Sequence, residues 1–370
     1  MNRLWQPASV FMQGVAFAIL GCGQDSAAPS PPAPRITDRH ELAFISDRNG
    51  VSQVYVVERD GANPLRVASD TIHQIAPRWS PDGSRLAYLT RTLRRISMAN
   101  SYFIGDLFLI VAANGSAVNV TQDTLVAEES VTWSPDGSRL ALQVTEYVIE
   151  PFGTVLGFPR SDIIRSDGSP TAPFSLRCGA DPAWSPDGTR IVQDGAATCN
   201  SSELRGRLVV VDEASNQVVL EPPEGQEFFF PQWAPGTTIL CLEINEAGRD
   251  LATVNPDGTG VSNLTNNPGW IDFDGFDRSP DGTTIVFARS ESQQPEDTNI
   301  FRINADGSDL VQLTTAPGGN NRPRWSSDGT LIAFESGRDG NAEIYVMNPD
   351  GSNQTNVTRN PAQDVDFDWR

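Results

Sequence analysis

The feature that constrains this chain most is a short turn that recurs behind a tryptophan. The stretches WSPDGSRLAYL, WSPDGSRLALQ and WSPDGTRIVQD begin at Trp79, Trp133 and Trp184. Equivalent positions recur along the rest of the sequence, at Trp233, Arg278, Trp325 and Trp369. A period of about 40–50 residues with several short strands in each unit is typical of propeller blades.

Each residue type in the turn suits the backbone geometry of its position. Ser80 can accept a backbone hydrogen bond at the first position, and Pro81 fixes φ at the second. Asp82 suits the third position, and Gly83 tolerates the left-handed conformation that follows. The turn therefore predicts a tight hairpin between two antiparallel strands.

A second hairpin completes each unit. The clearest copies are EIYVMNPDGSNQTNVT from Glu343 and NIFRINADGSDLVQLT from Asn299. Asp-Gly and Asn-Gly between β-rich runs are strong hairpin signals. Each blade is thus expected to have four strands, A to D. In LAYL, from Leu86 to Leu89, both faces are apolar, as expected for a sheet packed between neighbouring blades.

The two ends of the repeat region complement each other. The region starts with B-to-D strand material, LAFISDRNGVSQVYVVERDG from Leu42, and stops with an A strand, VDFDW, at Trp369. Joining them gives one composite blade and leaves no open sheet edge. The sequence therefore predicts an all-β fold, a seven-bladed β-propeller closed by its N- and C-terminal strands. Six blades remain an alternative if the unit after Trp184 or Trp233 is misassigned.

The N-terminal residues are typical of a secretory signal. One early charge, Arg3, precedes an apolar run that is too short to span a membrane as a mature helix. Ile19-Leu20-Gly21-Cys22 resembles a bacterial lipobox, although Leu20 is larger than usual, so an ordinary signal with an incidental Cys22 is the alternative. We expect a lipoprotein-type signal peptide over 1–21, a flexible Pro/Ala/Ser tether over 22–38 and the propeller over 39–370.

Composition excludes several classes of function. The chain of 370 residues carries 47 acids against 27 basic residues, a net charge of -20, which repels nucleic-acid backbones. It has 2 histidines, His40 and His73, and no Cys-x-x-Cys pair, so neither a zinc site nor a histidine triad is expected. We find no Gly-x-Ser-x-Gly elbow. No cofactor is expected.

The stretch SGRDGNAEIYVMNPDGSNQTNVTRNPAQD, from Ser336, resembles the propeller repeat of the TolB family of periplasmic proteins, as do WSPDG and SDRNG. The similarity covers roughly residues 42–369. It implies a WD40-like β-propeller that binds other macromolecules in the bacterial envelope. TolB itself has an α/β domain before a six-bladed propeller, so its role in the Tol–Pal system is not carried over. The repeat type also occurs in sugar lyases and ahead of peptidase domains.

Three functions are compatible with this resemblance. The first is a non-enzymatic, membrane-tethered module that binds a protein or cell-wall glycan through loops on one face. The alternative is an envelope polysaccharide lyase or hydrolase that uses carboxylates at the channel mouth. The third is a structural spacer. We expect a monomeric propeller, held by a lipid anchor at the periplasmic face of the outer membrane or at the cell surface.

Two B-to-C connections are much longer than the others and belong to consecutive blades. RTLRRISMANSYFIG starts at Arg91, and EYVIEPFGTVLGFPR starts at Glu146. Together they predict a raised lip that grips an acidic or sugar-containing partner. The alternative is a pair of hairpins that only pack on each other. The candidate binding residues are Arg91, Arg94, Arg95, Tyr102, Phe103, Tyr147, Phe152, Phe158 and Arg160.

On the same face, the D-to-A loops lead into the innermost strands and carry carboxylates that would attract cations or a basic peptide. The predicted channel-mouth acids are Glu129, Asp181, Asp272, Asp274, Asp364 and Asp366. DFDGFD, from Asp272, hints at calcium, but its spacing is not that of a calcium loop. Solvated surface acids are the alternative, and no metal is expected.

The cysteines divide into two groups. Cys178 and Cys199 flank the Trp184 hairpin and could form a disulfide under the oxidising conditions that an exported protein meets. A pair of free thiols is the alternative. Cys241, in ILCLEI, is expected to be a small buried strand residue.

Overall fold

The structure is a computed structural model. It describes residues 36–370 except 69–70, 96–100, 123–125, 150–154, 170–175, 178, 196–205, 235, 237, 247, 267–269 and 291–293. The chain divides into two units, Met1–Pro32 and Ala33–Arg370, and every described residue belongs to the second. The predicted signal peptide, Cys22 and most of the tether lie outside the described residues.

Seven antiparallel sheets make up the described unit, and each is one blade. We number blades 1–6 along the chain and call the composite blade 7. Its N-terminal part is β1 (His40–Ser46), β2 (Gln53–Glu58) and β3 (Leu65–Arg66). Blade 1 is β4 (His73–Trp79), β5 (Arg85–Arg95), β6 (Ser101–Ile104), β7 (Leu107–Val111) and β8 (Ala117–Asn119). Blade 2 is β9 (Val126–Trp133), β10 (Arg139–Ile149), β11 (Val155–Arg165) and β12 (Leu176–Arg177).

The remaining blades repeat the same order of strands. Blade 3 is β13 (Ala180–Trp184), β14 (Arg190–Asp194), β15 (Leu208–Asp212) and β16 (Gln217–Leu220). Blade 4 is β17 (Glu227–Trp233), β18 (Ile239–Asn245), β19 (Gly248–Val254) and β20 (Ser262–Asn263). Blade 5 is β21 (Trp270–Arg278), β22 (Thr284–Ser290), β23 (Asn299–Asn304) and β24 (Val311–Gln312). Blade 6 is β25 (Asn320–Trp325), β26 (Ile332–Ser336), β27 (Glu343–Met347) and β28 (Thr355–Asn356), and β29 (Asp364–Trp369) returns to blade 7.

The ring closes through the pairing predicted from the sequence. β29 pairs antiparallel with β1, with Leu42 opposite Trp369 and Ser46 opposite Asp364. Blade 7 therefore has the order β29-β1-β2-β3, in which the innermost strand comes from the other end of the repeat region. The prediction of seven blades is confirmed, and the six-bladed alternative is wrong.

The WSPDG turn has the geometry that its sequence predicts. The N–H of Gly83 donates to the carbonyl of Ser80 at 2.8 Å, and Gly83 has a φ of 66°. The hydroxyl of Ser80 accepts from the N–H of Arg85 at 2.9 Å and donates to Asp82 at 2.6 Å. Hydrogen bonds from Ser80 and Ser84 lower the pKa of Asp82 to about 2. The carboxylate therefore holds both sides of the turn at neutral pH.

Apolar clusters lie between neighbouring blades. Leu86 to Leu89 are fully or almost fully buried, as the two-sided apolar pattern predicts. Between blades 6 and 7, Phe44 packs in one cluster with Ile344 and Trp369. Burying one such side chain contributes about 1.5–3 kcal/mol, so each blade depends on its neighbours for stability.

Arginines of the turns join successive blades. The guanidinium of Arg85 lies 5.0 Å from the ring centroid of Trp133 in the next blade. Arg139 stacks in the same way on Trp184, at 4.7 Å. At the closure, Arg370 lies 5.0 Å from the ring centroid of Trp79. The stacking between blades thus continues across the point where the chain ends meet.

Little of the described chain is helical. A single 3-10 turn spans Pro295–Asp297 among the described residues. No helix in the described part of the chain is long and apolar enough to cross a membrane.

Candidate functional site

The innermost strand of every blade bends in the middle. The register between the first and second strands shifts at a β-bulge, for example between Ile75 and Arg78 in blade 1 and between Phe229 and Gln232 in blade 4. In six blades the bulge contains the residue three positions before the blade's tryptophan, or before Arg278 in blade 5. In blade 2 the bulge falls at Glu129, directly before the equivalent residue, Ser130. Bulges redirect side chains and end regular pairing, so the bend presents one residue per blade to the axis of the ring.

We call these residues the bulge ring. Its members are Ala76, Ser130, Asp181, Phe230, Gly275, Arg322 and Asp366. Five members have a positive φ of 47–52°: Ala76, Asp181, Phe230, Arg322 and Asp366. A left-handed backbone is rare for residues as large as phenylalanine or arginine, and such strain is concentrated at functional sites.

The bend also releases a backbone N–H from the sheet ladder, and a neighbouring blade satisfies it. The N–H of Asp181 donates to Gln143 Oε1 at 3.2 Å, and the N–H of Phe230 donates to Asp194 Oδ2 at 3.4 Å. The N–H of Asp366 donates to Glu335 Oε1 at 2.7 Å. These three acceptors occupy equivalent positions on the second strands of blades 2, 3 and 6. Polar side chains in the wall therefore fix the bulge ring.

The acids in and behind the channel wall fall into two groups, those whose pKa is raised and those whose pKa is lowered. Desolvation, with a contribution from the charge of Asp181, raises the pKa of Asp194 well above its ordinary value. Desolvation also raises the pKa of Glu335. Burial alone would raise the pKa of Asp366, but the charges of Arg78 and Arg322 hold it below the ordinary value.

The residue directly before each tryptophan, or before Arg278, forms a second ring nearer the WSPDG turns. Its members are Arg78, Thr132, Ala183, Gln232, Asp277, Arg324 and Asp368. Acids in this ring anchor the next blade: Asp368 accepts from the N–H of Trp79 at 2.7 Å, and Asp277 accepts from the N–H of Trp325 at 2.8 Å. Desolvation raises the pKa of Asp368 to about 6, against the opposing charge of Arg78.

The two rings enclose the central channel. Residues of all seven innermost strands line a cavity of about 490 Å³ there. Volumes of about 300–1,000 Å³ are typical of small-ligand pockets. Its wall combines arginines, carboxylates and apolar side chains such as Phe230, Pro182 and Pro231.

The two long hairpins predicted from the sequence are present in blades 1 and 2. β5 continues to Arg95 and pairs with β6, while β10 and β11 pair along their whole length. The rings of Tyr102 and Tyr147 pack with centroids 5.0 Å apart, so the hairpins contact each other. Tyr147 also hydrogen-bonds to the backbone of Phe103. We call these two hairpins the lip.

The lip exposes apolar and basic side chains. Leu93 is 45% exposed, Phe103 is 39% exposed and Val148 is 45% exposed. The guanidinium of Arg91 lies 4.3 Å from the ring centroid of Phe103. Arg94 is exposed at the surface, as are Arg91 and Arg95. These exposed positive charges contrast with the net charge of the whole chain, which is -20.

A chain of contacts joins the lip to the cavity. Burial raises the pKa of the Tyr147 phenol, and the nearby charge of Glu129 raises it further. Glu129 accepts hydrogen bonds from Thr145 Oγ1 at 2.7 Å and from Gln143 Nε2 at 3.0 Å. The same Gln143 side chain accepts from Asp181 of the bulge ring, so the lip and the channel form one continuous face.

The predicted channel-mouth acids have different surroundings. Glu129, Asp181 and Asp366 line the cavity. Asp364 is instead fully buried and pairs with Arg48 at 2.9 Å, because the closing strand places it inside blade 7. Asp272 and Asp274 lie in β21, and their side chains are not among those described.

Other predicted residues are only partly described. Arg160 pairs with Asp162 at 2.9 Å and with Glu146 within its own hairpin. Phe158 lies in β11, but its side chain is outside the described set, as is the whole of Phe152. Cys178 and Cys199 also lie outside the described residues.

Cys241 is the buried strand residue that the sequence predicts. It is free and fully buried, and burial raises the pKa of its thiol. Among the described residues, no group of three or more His, Cys, Asp or Glu side chains could hold a metal ion.

The arginines and Phe230 of the channel wall were not predicted from the sequence. Their signal is present in the sequence, because Arg322, Phe230 and Asp366 all stand three positions before the tryptophan. Arg78 and Arg324 stand one position before it. Both positions line the channel, although the bulge between them interrupts the regular alternation of the strand.

Comparisons with known proteins agree with this architecture. Residues 276–369 match the family model of the TolB beta propeller domain. The chain is 34% identical over 90 residues to dipeptidyl-peptidase 5 of Porphyromonas endodontalis, over 24% of this chain and 13% of that protein. It is 44% identical over 52 residues to the Tol-Pal system protein TolB of Syntrophus aciditrophicus, over 14% of this chain and 12% of that protein. The chain thus matches only a small part of the length of either relative.

Solved structures give the same fold. TolB from Acinetobacter baumannii superposes with a TM-score of 0.51 at 14% identity, covering 90% of this chain and 68% of that one. Oligogalacturonate lyase from Vibrio parahaemolyticus superposes with a TM-score of 0.65 at 13% identity, covering 86% of this chain and 88% of that one. At these identities the similarity shows the fold alone, and the fold is shared by binding proteins and enzymes.

Proposed function

We propose that this TolB-like β-propeller is a non-enzymatic binding module of the bacterial cell envelope. It recognises a protein or cell-wall glycan through the lip and the adjoining channel mouth. The observation that carries the proposal is the contact between two extended hairpins, Tyr102 on Tyr147, at the edge of the channel. The envelope location rests on the similarity to the Tol-Pal system protein TolB.

The chemistry of the lip supports binding. Hairpins that only packed on each other would bury their apolar side chains. Leu93 and Phe103, which are paired across β5 and β6, nevertheless remain exposed, as does Val148 on the second hairpin. Aromatic and arginine side chains are enriched at the energetically dominant positions of interfaces. Because Tyr102 and Tyr147 hold the hairpins together, little conformational entropy is lost when a partner binds. Arg91, Arg94 and Arg95 favour an acidic partner.

Replacing Arg91, Arg94 and Arg95 together by serine is expected to reduce capture of the partner at least tenfold. The physical reason is the loss of three exposed charges that attract an acidic partner. The measurement is a quantitative pulldown from envelope extract with the wild-type and substituted proteins as bait.

The matched control replaces Arg39, Arg165 and Arg359, which are also exposed, by serine. It removes the same charge elsewhere and should leave capture unchanged. If the lip variant retained every partner of the wild type, or if both variants lost them equally, the lip would not be the binding surface.

A second candidate function is an envelope polysaccharide lyase or hydrolase. It is favoured by the raised pKa values of Asp194 and Glu335, because a carboxyl group with a raised pKa holds its proton more readily and can act as a general acid. Incubation of the same extract with the protein distinguishes the two functions. Depolymerised glycan would support catalysis, whereas a retained, intact partner supports binding.

We further propose that Cys22 anchors the protein by a lipid, at the periplasmic face of the outer membrane or at the cell surface. The tether over 22–38 would let the propeller, over 39–370, reach its partner. In cells fed a labelled lipid precursor, Cys22→Ala should abolish labelling and release the protein from the membrane fraction, and Cys241→Ala should change neither. A Cys22→Ala protein that remains labelled and membrane-bound would refute the anchor.

A further inference from the structure

We propose that the channel cavity binds a small zwitterion, of the class of free amino acids and short peptides with free ends. Its ammonium group would lie against blades 2 and 3, and its carboxylate against blade 6. The site lies inside the ring, and the four charged residues that define it, Glu129, Asp181, Arg322 and Arg324, lie outside the lip hairpins.

The order of blades places opposite charges across the cavity. Arg322 and Arg324 project from the innermost strand of blade 6. Glu129 and Asp181 project from the innermost strands of blades 2 and 3. In a closed ring of seven, blade 6 lies opposite the junction of blades 2 and 3. The cavity therefore has an arginine wall facing an acidic wall, and the Arg78–Asp366 ion pair of blades 1 and 7 lies between them on one side.

The acids that accompany the arginines are Asp277 of blade 5, Glu335 of blade 6 and Asp366 of blade 7. Arg324 lies 3.8 Å from Asp277, and Arg322 lies 3.5 Å from Glu335. The separation of Arg324 from Asp277 is long for a charge-assisted hydrogen bond, which is about 2.7–2.9 Å. Both described contacts of Arg324 use Nη1, so its remaining donors can meet a ligand carboxylate.

The acidic wall has a different composition. The described hydrogen-bond donors to Glu129 are Gln143 and Thr145, which carry no charge. Asp194 lies behind Asp181, close enough for the charge of Asp181 to raise its pKa. An ammonium group in the cavity near Glu129 and Asp181 would form charge-assisted hydrogen bonds with their carboxylates.

The shape and the remaining lining restrict the ligand further. A cavity of about 490 Å³ accommodates a small molecule between the walls. Phe230, Pro182 and Pro231 provide apolar contacts for its body. A ligand with only one sign of charge would satisfy one wall and be repelled by the other. A molecule with both charges satisfies both, which gives selectivity by charge pattern.

Titration calorimetry of the purified protein with three probes tests the site: trialanine, N-acetyl-trialanine and trialanine amide. We expect trialanine to bind, and each blocked peptide to bind at least tenfold more weakly, because each has lost one of the two charges. The proposal is overturned if trialanine gives no binding heat at millimolar concentration. It is also overturned if the blocked peptides bind as tightly as trialanine.

Two substitutions identify the walls. In Asp181→Asn, acetylation of the peptide should no longer weaken binding, while amidation still should. In Arg324→Gln the pattern should be reversed. Arg94→Gln, on the lip, is the matched control and should bind all three probes like the wild type. Because the three-probe comparison uses unaltered protein, it decides the question even if a variant fails to fold.

Discussion

Deleting residues 361–370 is expected to abolish the sharp, cooperative unfolding transition of the propeller. The deletion removes β29 and leaves β1 with an unpaired inner edge. It also removes the buried side chains of Phe367 and Trp369. Losing one large buried aromatic typically costs about 3–5 kcal/mol, and whole domains are stable by only about 5–15 kcal/mol. Scanning calorimetry measures the result.

A milder variant isolates the stacking at the closure. Arg370 stacks on Trp79 and donates to the carbonyl of Gly83 at 3.0 Å. Arg370→Met should therefore lower the melting temperature without abolishing the transition. Arg359→Met, at an exposed arginine outside the closure, should change little. A deletion protein that still melted sharply at the wild-type temperature would show that the ring does not depend on this strand.

The substitution Asp368→Asn is expected to stabilise the protein at pH 7 by about 2–3 kcal/mol. Burial raises the pKa of Asp368 from its ordinary value of 3.8 to about 6, so the folded state opposes its ionisation. One pKa unit corresponds to about 1.4 kcal/mol. The asparagine oxygen can still accept the hydrogen bond from Trp79, while the desolvation cost of a partly buried charge disappears. Chemical denaturation at a series of pH values measures the gain.

The sign of the pH dependence follows from linkage. Because the pKa of Asp368 is higher in the folded state, the wild type keeps its full stability below about pH 4. It loses that contribution as the pH rises through about 6. The advantage of Asp368→Asn should therefore grow between pH 4 and pH 7 and vanish in acid.

The neighbouring acid provides the control. Arg78 and Arg322 hold the pKa of Asp366 below its ordinary value, so its charge stabilises the fold at neutral pH. Asp366→Asn should therefore destabilise the protein at pH 7, the opposite of Asp368→Asn. Equal effects of the two substitutions would contradict the assignment of one stabilising and one destabilising carboxylate.

The sequence predicts the blades well because their signals are local. The hydroxyl of Ser80, the carboxylate of Asp82 and the left-handed Gly83 act within a few residues of one another, so the turn can be read from its spelling. The pairing of β1 with β29 is not local, yet it follows from counting strand types at the two ends. Strand patterning and turn chemistry therefore predict the four-stranded blade, and the seven sheets of the structure exclude the six-bladed alternative.

The surroundings of the acids at the channel mouth could not be predicted from local sequence. Asp364 and Asp366 stand two residues apart and look alike in sequence, but one pairs with Arg48 inside blade 7 and the other lines the cavity. The bulge between Val365 and Asp368 shifts the register, so simple alternation does not assign their faces.

By itself, the sequence determined the repeat, the turn and the four-stranded blade, because each depends on backbone preferences of neighbouring residues. It also predicted the closure, from the strand types at the two ends of the repeat region. Only the tertiary structure decided which charges meet. Arg322 and Asp181 belong to blades far apart in the chain, and they share one cavity because the ring brings seven innermost strands around a common axis. Charge pairing across that axis depends on distance in space, which spacing along the chain does not encode.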